Sequence, residues 1–195
     1  WFSEQIGKHF TNSKIHVIYP DNPFDSDEAR KKINEVPADL YVGYSLGSLW
    51  MFRYKDFFPK SSIKAVLAPI LGFTKERNMG GKTTSAQLNY LIKLVKQSKD
   101  KAPLVNFYAN CNIPFPRILL KTLPNRSTLL KGLEFLQSVI ATKGSVLDFK
   151  VIVGDNDVLL DAIKLKKLIP QTEIVLGAGH SPDRLLKKLA NIIGQ

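Results

Sequence analysis

Three observations predict an α/β fold: a mostly parallel sheet flanked by helices, with a helical lid inserted between its halves. Short apolar, β-rich runs alternate with amphipathic helical patterns at both ends of the chain. Between about 72 and 144 that alternation stops, and helical patterns separated by a proline-interrupted stretch replace it. The run SIKAVLAPIL (62–71) is apolar nearly throughout, as expected of a parallel strand covered on both faces. These observations divide the chain into a core of 1–71 and 145–195 and a lid of 72–144.

The elements follow in order. Trp1 to Phe10 reads as the end of a helix, with Trp1, Ile6 and Phe10 towards the core. KIHVIYP (14–20) is a short β-rich run closed by Pro20 and reads as a strand. DNPFDSDEARKKINEV gives a turn and a helix, with Ser26 or Asp27 as the expected cap and acidic residues in the first turn. ADLYVG (38–43) is a second strand. The helix after it carries Leu46, Leu49, Trp50 and Tyr54 as one stripe. Residues 72 to 84 are rich in Gly, Lys and Thr and read as a loop. SAQLNYLIKLVKQSK and NRSTLLKGLEFLQSVIA read as helices on either side of the stretch 103–124. DFKVIVG (148–154) is a strand, VLLDAIKLKKLI a helix, TEIVLG (172–177) a strand, and SPDRLLKKLANIIG a closing helix with Pro182 near its start.

The chain has 195 residues and is 44% hydrophobic, which suits one folded domain with a sizeable core. No apolar run reaches the eighteen or so residues that span a bilayer, so stable membrane insertion is not expected. No signal-peptide pattern is visible, although the chain begins at Trp1 rather than Met and targeting stays open. The one cysteine, Cys111, excludes an internal disulfide framework and fits a cytoplasmic protein. With three histidines and no second cysteine, neither a metal nor another cofactor is expected. The net charge of +11 serves solubility or points to an acidic partner, such as nucleic acid, an anionic membrane or an acidic protein. Between 68 and 145 there are twelve Lys and Arg against three Asp and Glu, so this region carries nine of the eleven net charges.

Gly43-Tyr44-Ser45-Leu46-Gly47 satisfies G-x-S-x-G between a predicted strand and a predicted helix, the setting a nucleophile elbow requires. A serine on so sharp a turn leaves no room for side chains two residues away, which Gly43 and Gly47 would remove. The Leu46 N–H would face a developing oxyanion, and the start of the helix adds a favourable field. A serine nucleophile needs a base, and the base an orienting carboxylate, in the chain order Ser, acid, His. One histidine follows Ser45: His180, in LGAGHSP after a predicted strand. The preceding strand leads into VGDNDVLL, where Asp157 stands at G-x-x-D spacing from Gly154. Asp155 is the alternative acid, and Asp161 lies further on. The implied chemistry is acyl transfer through Ser45, His180 and Asp157.

GYSLG, GDND and GAGHSP together resemble an α/β-hydrolase. The resemblance is nearest to the biotin-pathway esterases that remove the methyl group of pimeloyl-acyl-carrier-protein methyl ester. Trp1 with the helix ending in HF is similar to that family's first helix, LLKGLEFLQSV to its last lid segment, and GDNDVLLDAIKLKKLIPQTEIVLGAGHSP to its acid and histidine loops. The triad motifs belong to the whole superfamily, so the lid segment alone points to the subfamily. The resemblance implies a carboxylesterase that docks an acidic acyl carrier protein through its basic lid, with no nucleic-acid partner. Arg117 and Arg126 are the docking residues so implied, with Lys121 and Lys131 secondary. The family's first strand ends in a His-Gly-Trp-Gly-like loop that supplies a second oxyanion donor. This chain starts at a Trp after that point, so the strand and loop either precede Trp1 or have been replaced.

Two other signals have simpler readings. MGGKTT (79–84) is similar to a phosphate-binding loop, but position 76, where that motif has glycine, is Glu. Tyr90, Leu94, Phe107, Tyr108, Phe115 and Phe135 line an acyl tunnel or are plain core, while Trp50 and Phe52 read as packing. Two further functional readings are a hydrolase of another acyl substrate, such as a thioester or small ester, and a weakly catalytic module that binds an acidic partner.

Overall fold

The predicted strand–helix alternation gives a four-stranded, fully parallel sheet among the described residues of a computed structural model, which are 1–98, 102–113 and 123–194. Its order is β1 (Leu40–Tyr44), β2 (Ile63–Leu67), β5 (Phe149–Gly154), β6 (Glu173–Val175). β2 pairs with β1 through Val42–Ala65 and with β5 through Val66–Val151. Ala65, Val66, Leu67, Ile152 and Val153 are fully buried, the continuous apolar character expected of central parallel strands.

Helices cover the sheet. α1 (Phe2–His9) packs on α8 (Pro182–Ile193), and α8 packs on β2, β5 and β6. α8 is strongly amphipathic: Leu185, Leu186 and Leu189 are fully buried, each worth about 1.5–3 kcal/mol of transfer free energy. α2 (Ser26–Asn34) is capped by Asp25, one residue before the expected Ser26 or Asp27; its carboxylate accepts from the N–H groups of Asp27 and Glu28. α3 (Leu46–Arg53) packs on β1. It does not bury one stripe as its pattern predicts. Ser48, Leu49, Trp50, Met51 and Phe52 are all buried, because α6 (Arg126–Ser138) crosses its other side.

Other departures have physical causes. Residues 14–20 form no strand: none of them joins a ladder, and Val17 is 68% exposed. β-branched residues favour a strand only where a partner lies alongside. β2 ends at Leu67 rather than 71, because Ala68 takes φ 47° and turns the chain. The Gly/Lys/Thr-rich segment is not all loop. β3 (Gly72–Thr74) and β4 (Gly80–Thr83) form a short parallel pair. Within 103–124, α5 (Ala102–Asn110) is helical, with Pro103 in its first turn, where no N–H partner is lost. α4 (Ser85–Gln97) carries a Thr84–Gln87 capping box and packs on α5 and α6. α7 (Ala162–Leu168) is capped by Asp161 and packs on β4 and β6.

Candidate active site

Every candidate catalytic residue lies just beyond the carboxyl end of a sheet strand, where open parallel sheets collect chemistry. Ser45 follows β1 directly. Its N–H continues the ladder by donating to Leu67 O at 3.0 Å, and its backbone then turns sharply at φ 53°, ψ −118° into α3. A non-glycine residue there is strained by about 1–3 kcal/mol, so its surroundings must hold it. Ser48 does much of that. Its N–H donates to Ser45 O at 2.9 Å and its hydroxyl to the same oxygen at 2.5 Å, while Ser48 Oγ accepts from Ile70 N–H at 2.9 Å. The elbow is thus tied to the segment between β2 and β3.

The two motif glycines are not equivalent. A Cβ on Gly43 would lie 2.6 Å from Met51 Sδ and 2.9 Å from Gly47 O, so position 43 admits no side chain. A Cβ on Gly47 would meet nothing within 4 Å. The expectation that both glycines relieve a collision therefore holds for Gly43 and fails for Gly47, whose Cα points into open space.

His180 and Asp157 complete a hydrogen-bonded chain. His180 Nε2 lies 3.0 Å from Ser45 Oγ, and His180 Nδ1 lies 2.8 Å from Asp157 Oδ2. Asp157 and His180 are only 1% and 2% exposed, so these contacts are screened little by water. Asp157 Oδ1 accepts from the N–H groups of Leu159 at 2.8 Å and Leu160 at 3.1 Å. Its second oxygen is left for the imidazole, which favours a proton on Nδ1 and an unprotonated Nε2 facing Ser45.

The other two aspartates have different work. Asp155 is exposed, and its N–H donates to Val175 O in the turn. Asp161 caps α7, its carboxylate accepting from Lys164 N–H at 2.9 Å. The acid and histidine loops meet at Gly154, where a Cβ would lie 2.1 Å from Ala178 O. Asn156 N–H donates to Ala178 O at 2.9 Å. His180 is held again from β1: the Tyr44 hydroxyl donates to His180 O at 2.9 Å, and the two rings lie 5.5 Å apart. Burial, then the Asp157 carboxylate, pushes the Tyr44 phenol well above its ordinary range, so it remains a donor. Cys111 shares this buried neighbourhood. Burial, then Asp157, pushes its thiol up to about 12 and keeps it neutral.

Leu46 is the first residue of α3, so its N–H belongs to the unpaired start of that helix beside Ser45. α6 lies against the Leu46 side chain: a Cβ on Gly132 would lie 3.8 Å from Leu46 Cδ2. Lys131 is half-buried next to that contact. Arg126, the first residue of α6, is exposed and donates through Nη2 to Ser98 O. Arg117 and Lys121 lie outside the described residues, as does Phe115. Of the other tunnel candidates, Phe135 is fully buried and Tyr90 is 63% exposed. Trp50 and Phe52 are buried packing residues. Among the described residues no cluster of three His, Cys, Asp or Glu side chains is placed to hold a metal ion. Nor is any helix among them long and apolar enough to cross a membrane.

Three contributors to this geometry carry no motif. Tyr44 occupies a variable motif position, Ser48 reads as an ordinary helix residue, and Lys82 lies in the apparent loop 72–84. Lys82 Nζ donates to Asp157 O at 2.6 Å.

No family model matches the chain, and no curated protein matches it. Solved structures do. An esterase, EaEST, from Exiguobacterium antarcticum superposes with a TM-score of 0.68 at 16% identity, covering 90% of this chain and 76% of that one. The N-acyl homoserine lactonase AidH, complexed with N-butanoyl homoserine, gives 0.65 at 17% identity, covering 90% of this chain and 72% of that one. The esterase RhEst1 from Rhodococcus sp. ECU1013 gives 0.58 at 16% identity, covering 90% and 75%. With its parallel sheet, its serine on the turn after β1 and these structural neighbours, the chain has the α/β-hydrolase fold.

Proposed function

We propose that the protein is a serine hydrolase of carboxylic esters. One observation carries this reading: Ser45 Oγ, His180 and Asp157 form a continuous hydrogen-bonded chain, at 3.0 and 2.8 Å, with the serine on a strained turn at a helix start. In the proposed cycle His180 Nε2 takes the Ser45 proton as Oγ attacks the ester carbonyl carbon. Asp157 stabilises the imidazolium, and the Leu46 N–H donates to the oxyanion. The tetrahedral intermediate expels the alkoxide, which leaves as alcohol with the proton from His180. Water, deprotonated by His180, then attacks the acyl-enzyme and releases the acid and Ser45.

Within that class we propose the methyl ester of a carrier-protein-bound, pimeloyl-type acyl chain as substrate. Support comes from the lid-segment resemblance and from the basic charge concentrated between 68 and 145. Arg126 and Lys131 would meet the acidic carrier, Arg126 by exchanging its bond to Ser98 O for a carrier carboxylate or phosphate. A second reading, a small free ester or lactone, is favoured by the structural neighbours, two esterases and a lactonase.

Fluorophosphonate labelling tests the hydrolase reading. Wild-type protein should label and Ser45→Ala should not; equal labelling of both defeats it. Carrier-bound and free pimeloyl methyl ester distinguish the substrates. Carrier docking predicts a preference for the bound ester that shrinks at high salt and with Arg126→Glu. Equal rates on both esters favour the small-ester reading.

A further inference from the structure

A fourth segment, outside the three loops that carry Ser45, Asp157 and His180, grips the acid. β4 lies along residues 157–161. Lys82 N–H donates to Leu159 O at 2.8 Å, Asp161 N–H donates to Gly80 O at 2.8 Å, and Gly81 and Leu160 form an antiparallel bridge. The double glycine of MGGKTT seats β4 against α7 and β3, and so holds it in this register. Gly80 takes φ +91°, and a Cβ there would lie 2.8 Å from Leu165 Cγ. A Cβ on Gly81 would lie 2.0 Å from Phe73 O. The segment that resembles a phosphate loop is thus a glycine-dependent clasp on the acid loop.

In that register the Lys82 ammonium reaches Asp157 O at 2.6 Å. This is a charge-assisted hydrogen bond, stronger than one between neutral groups. It fixes the main chain of Asp157, while Leu159 and Leu160 N–H fix one carboxylate oxygen. The remaining oxygen has little freedom except to face His180.

We propose that Lys82 is a positioning residue for the Asp157–His180 pair, coupling the β3–β4 segment to the acid. The proposal rests on the serine-hydrolase reading above. A lysine that merely decorates the surface recess of about 260 Å³ lined by Lys75, Asn78, Gly81, Lys82, Asp161 and Lys164 would behave like Lys75.

The test compares Lys82→Met, Lys82→Arg and Lys75→Met in the full chain. Hydrolysis of p-nitrophenyl acetate is read with the downfield proton NMR resonance of His180 Nδ1–H, at a temperature where near-UV circular dichroism shows each variant folded. Lys82→Met should lower kcat about tenfold with KM within about twofold. Lys82→Arg should recover kcat to within about threefold of wild type, and Lys75→Met should stay within about twofold. The Nδ1–H resonance should move or broaden in Lys82→Met only. The proposal is overturned if Lys82→Met keeps its kcat and its resonance, or loses kcat only in proportion to its folded fraction. If wild-type protein takes no fluorophosphonate label, the hydrolase reading fails on its own. The resonance then still decides the Lys82 question: unchanged in Lys82→Met, it refutes positioning.

Discussion

Asp157→Asn should leave the protein folded and almost inactive. In wild type one carboxylate oxygen accepts from two backbone N–H groups and the other faces His180 Nδ1. An asparagine has one oxygen and one NH₂. Two fixed donors, Leu159 and Leu160, compete with one movable ring for that oxygen, and the backbone pair should win. The NH₂ then faces His180 Nδ1, which must accept, so the imidazole proton moves to Nε2 and points at Ser45. A protonated Nε2 cannot take the serine proton. Loss of kcat should be about 10⁴-fold, on the order of 5 kcal/mol of transition-state stabilisation. Stability should fall little, because the backbone donors remain satisfied. Asp157→Ala leaves those two donors and the ring nitrogen unpaired in a buried site, a loss on the order of 3 kcal/mol or more. Ester hydrolysis and thermal melts of the two variants, beside Asp155→Asn, check this. The reasoning is refuted if Asp157→Asn keeps kcat within tenfold of wild type, or if Asp155→Asn costs as much.

Gly154→Ala should separate the acid and histidine loops, since its Cβ would lie 2.1 Å from Ala178 O; activity and melting temperature should both drop, whereas Gly47→Ala, whose Cβ meets nothing within 4 Å, should melt no lower than wild type. Tyr44→Phe removes the donor to His180 O but keeps the ring, and should lower kcat about three- to thirtyfold without changing the alkaline side of the pH–rate profile, because the buried phenol stays protonated there. Alkaline stability carries a sign. Burial raises Cys111 from 9.0 to about 12 and Tyr108 from 10.0 to about 12, so the unfolded chain loses these protons first. Their stabilising effect is complete below about pH 9 and is lost as pH rises towards about 12. Melting temperature should fall across that window, and less steeply at its lower end in Cys111→Ala.

The part of the site written in local sequence was legible: a serine between glycines after a strand, a lone downstream histidine, and an aspartate three residues past Gly154. What escaped was non-local. KIHVIYP has strand residues but no ladder partner among the described residues. β4 was hidden because glycines, which weaken strand propensity, are there to allow close approach to Phe73 and Leu165. Pro103 read as a breaker, although a proline in the first turn of α5 breaks nothing. The tether from Lys82 to a main-chain carbonyl has no local signature, since any lysine at any position looks the same until the register of β4 is known.

The double glycine has a bearing on chimeras. Exchanging the segment between β2 and β5 among proteins of this fold to transplant substrate preference invites a cut after residue 71, where the sequence pattern changes. That cut would carry β4 away with the helices that follow it and strip the acid loop of its clasp. A donor segment would then be judged inactive for a reason unrelated to its substrate. The workable junction lies after Thr83, leaving 72–83 and its clasp with the recipient.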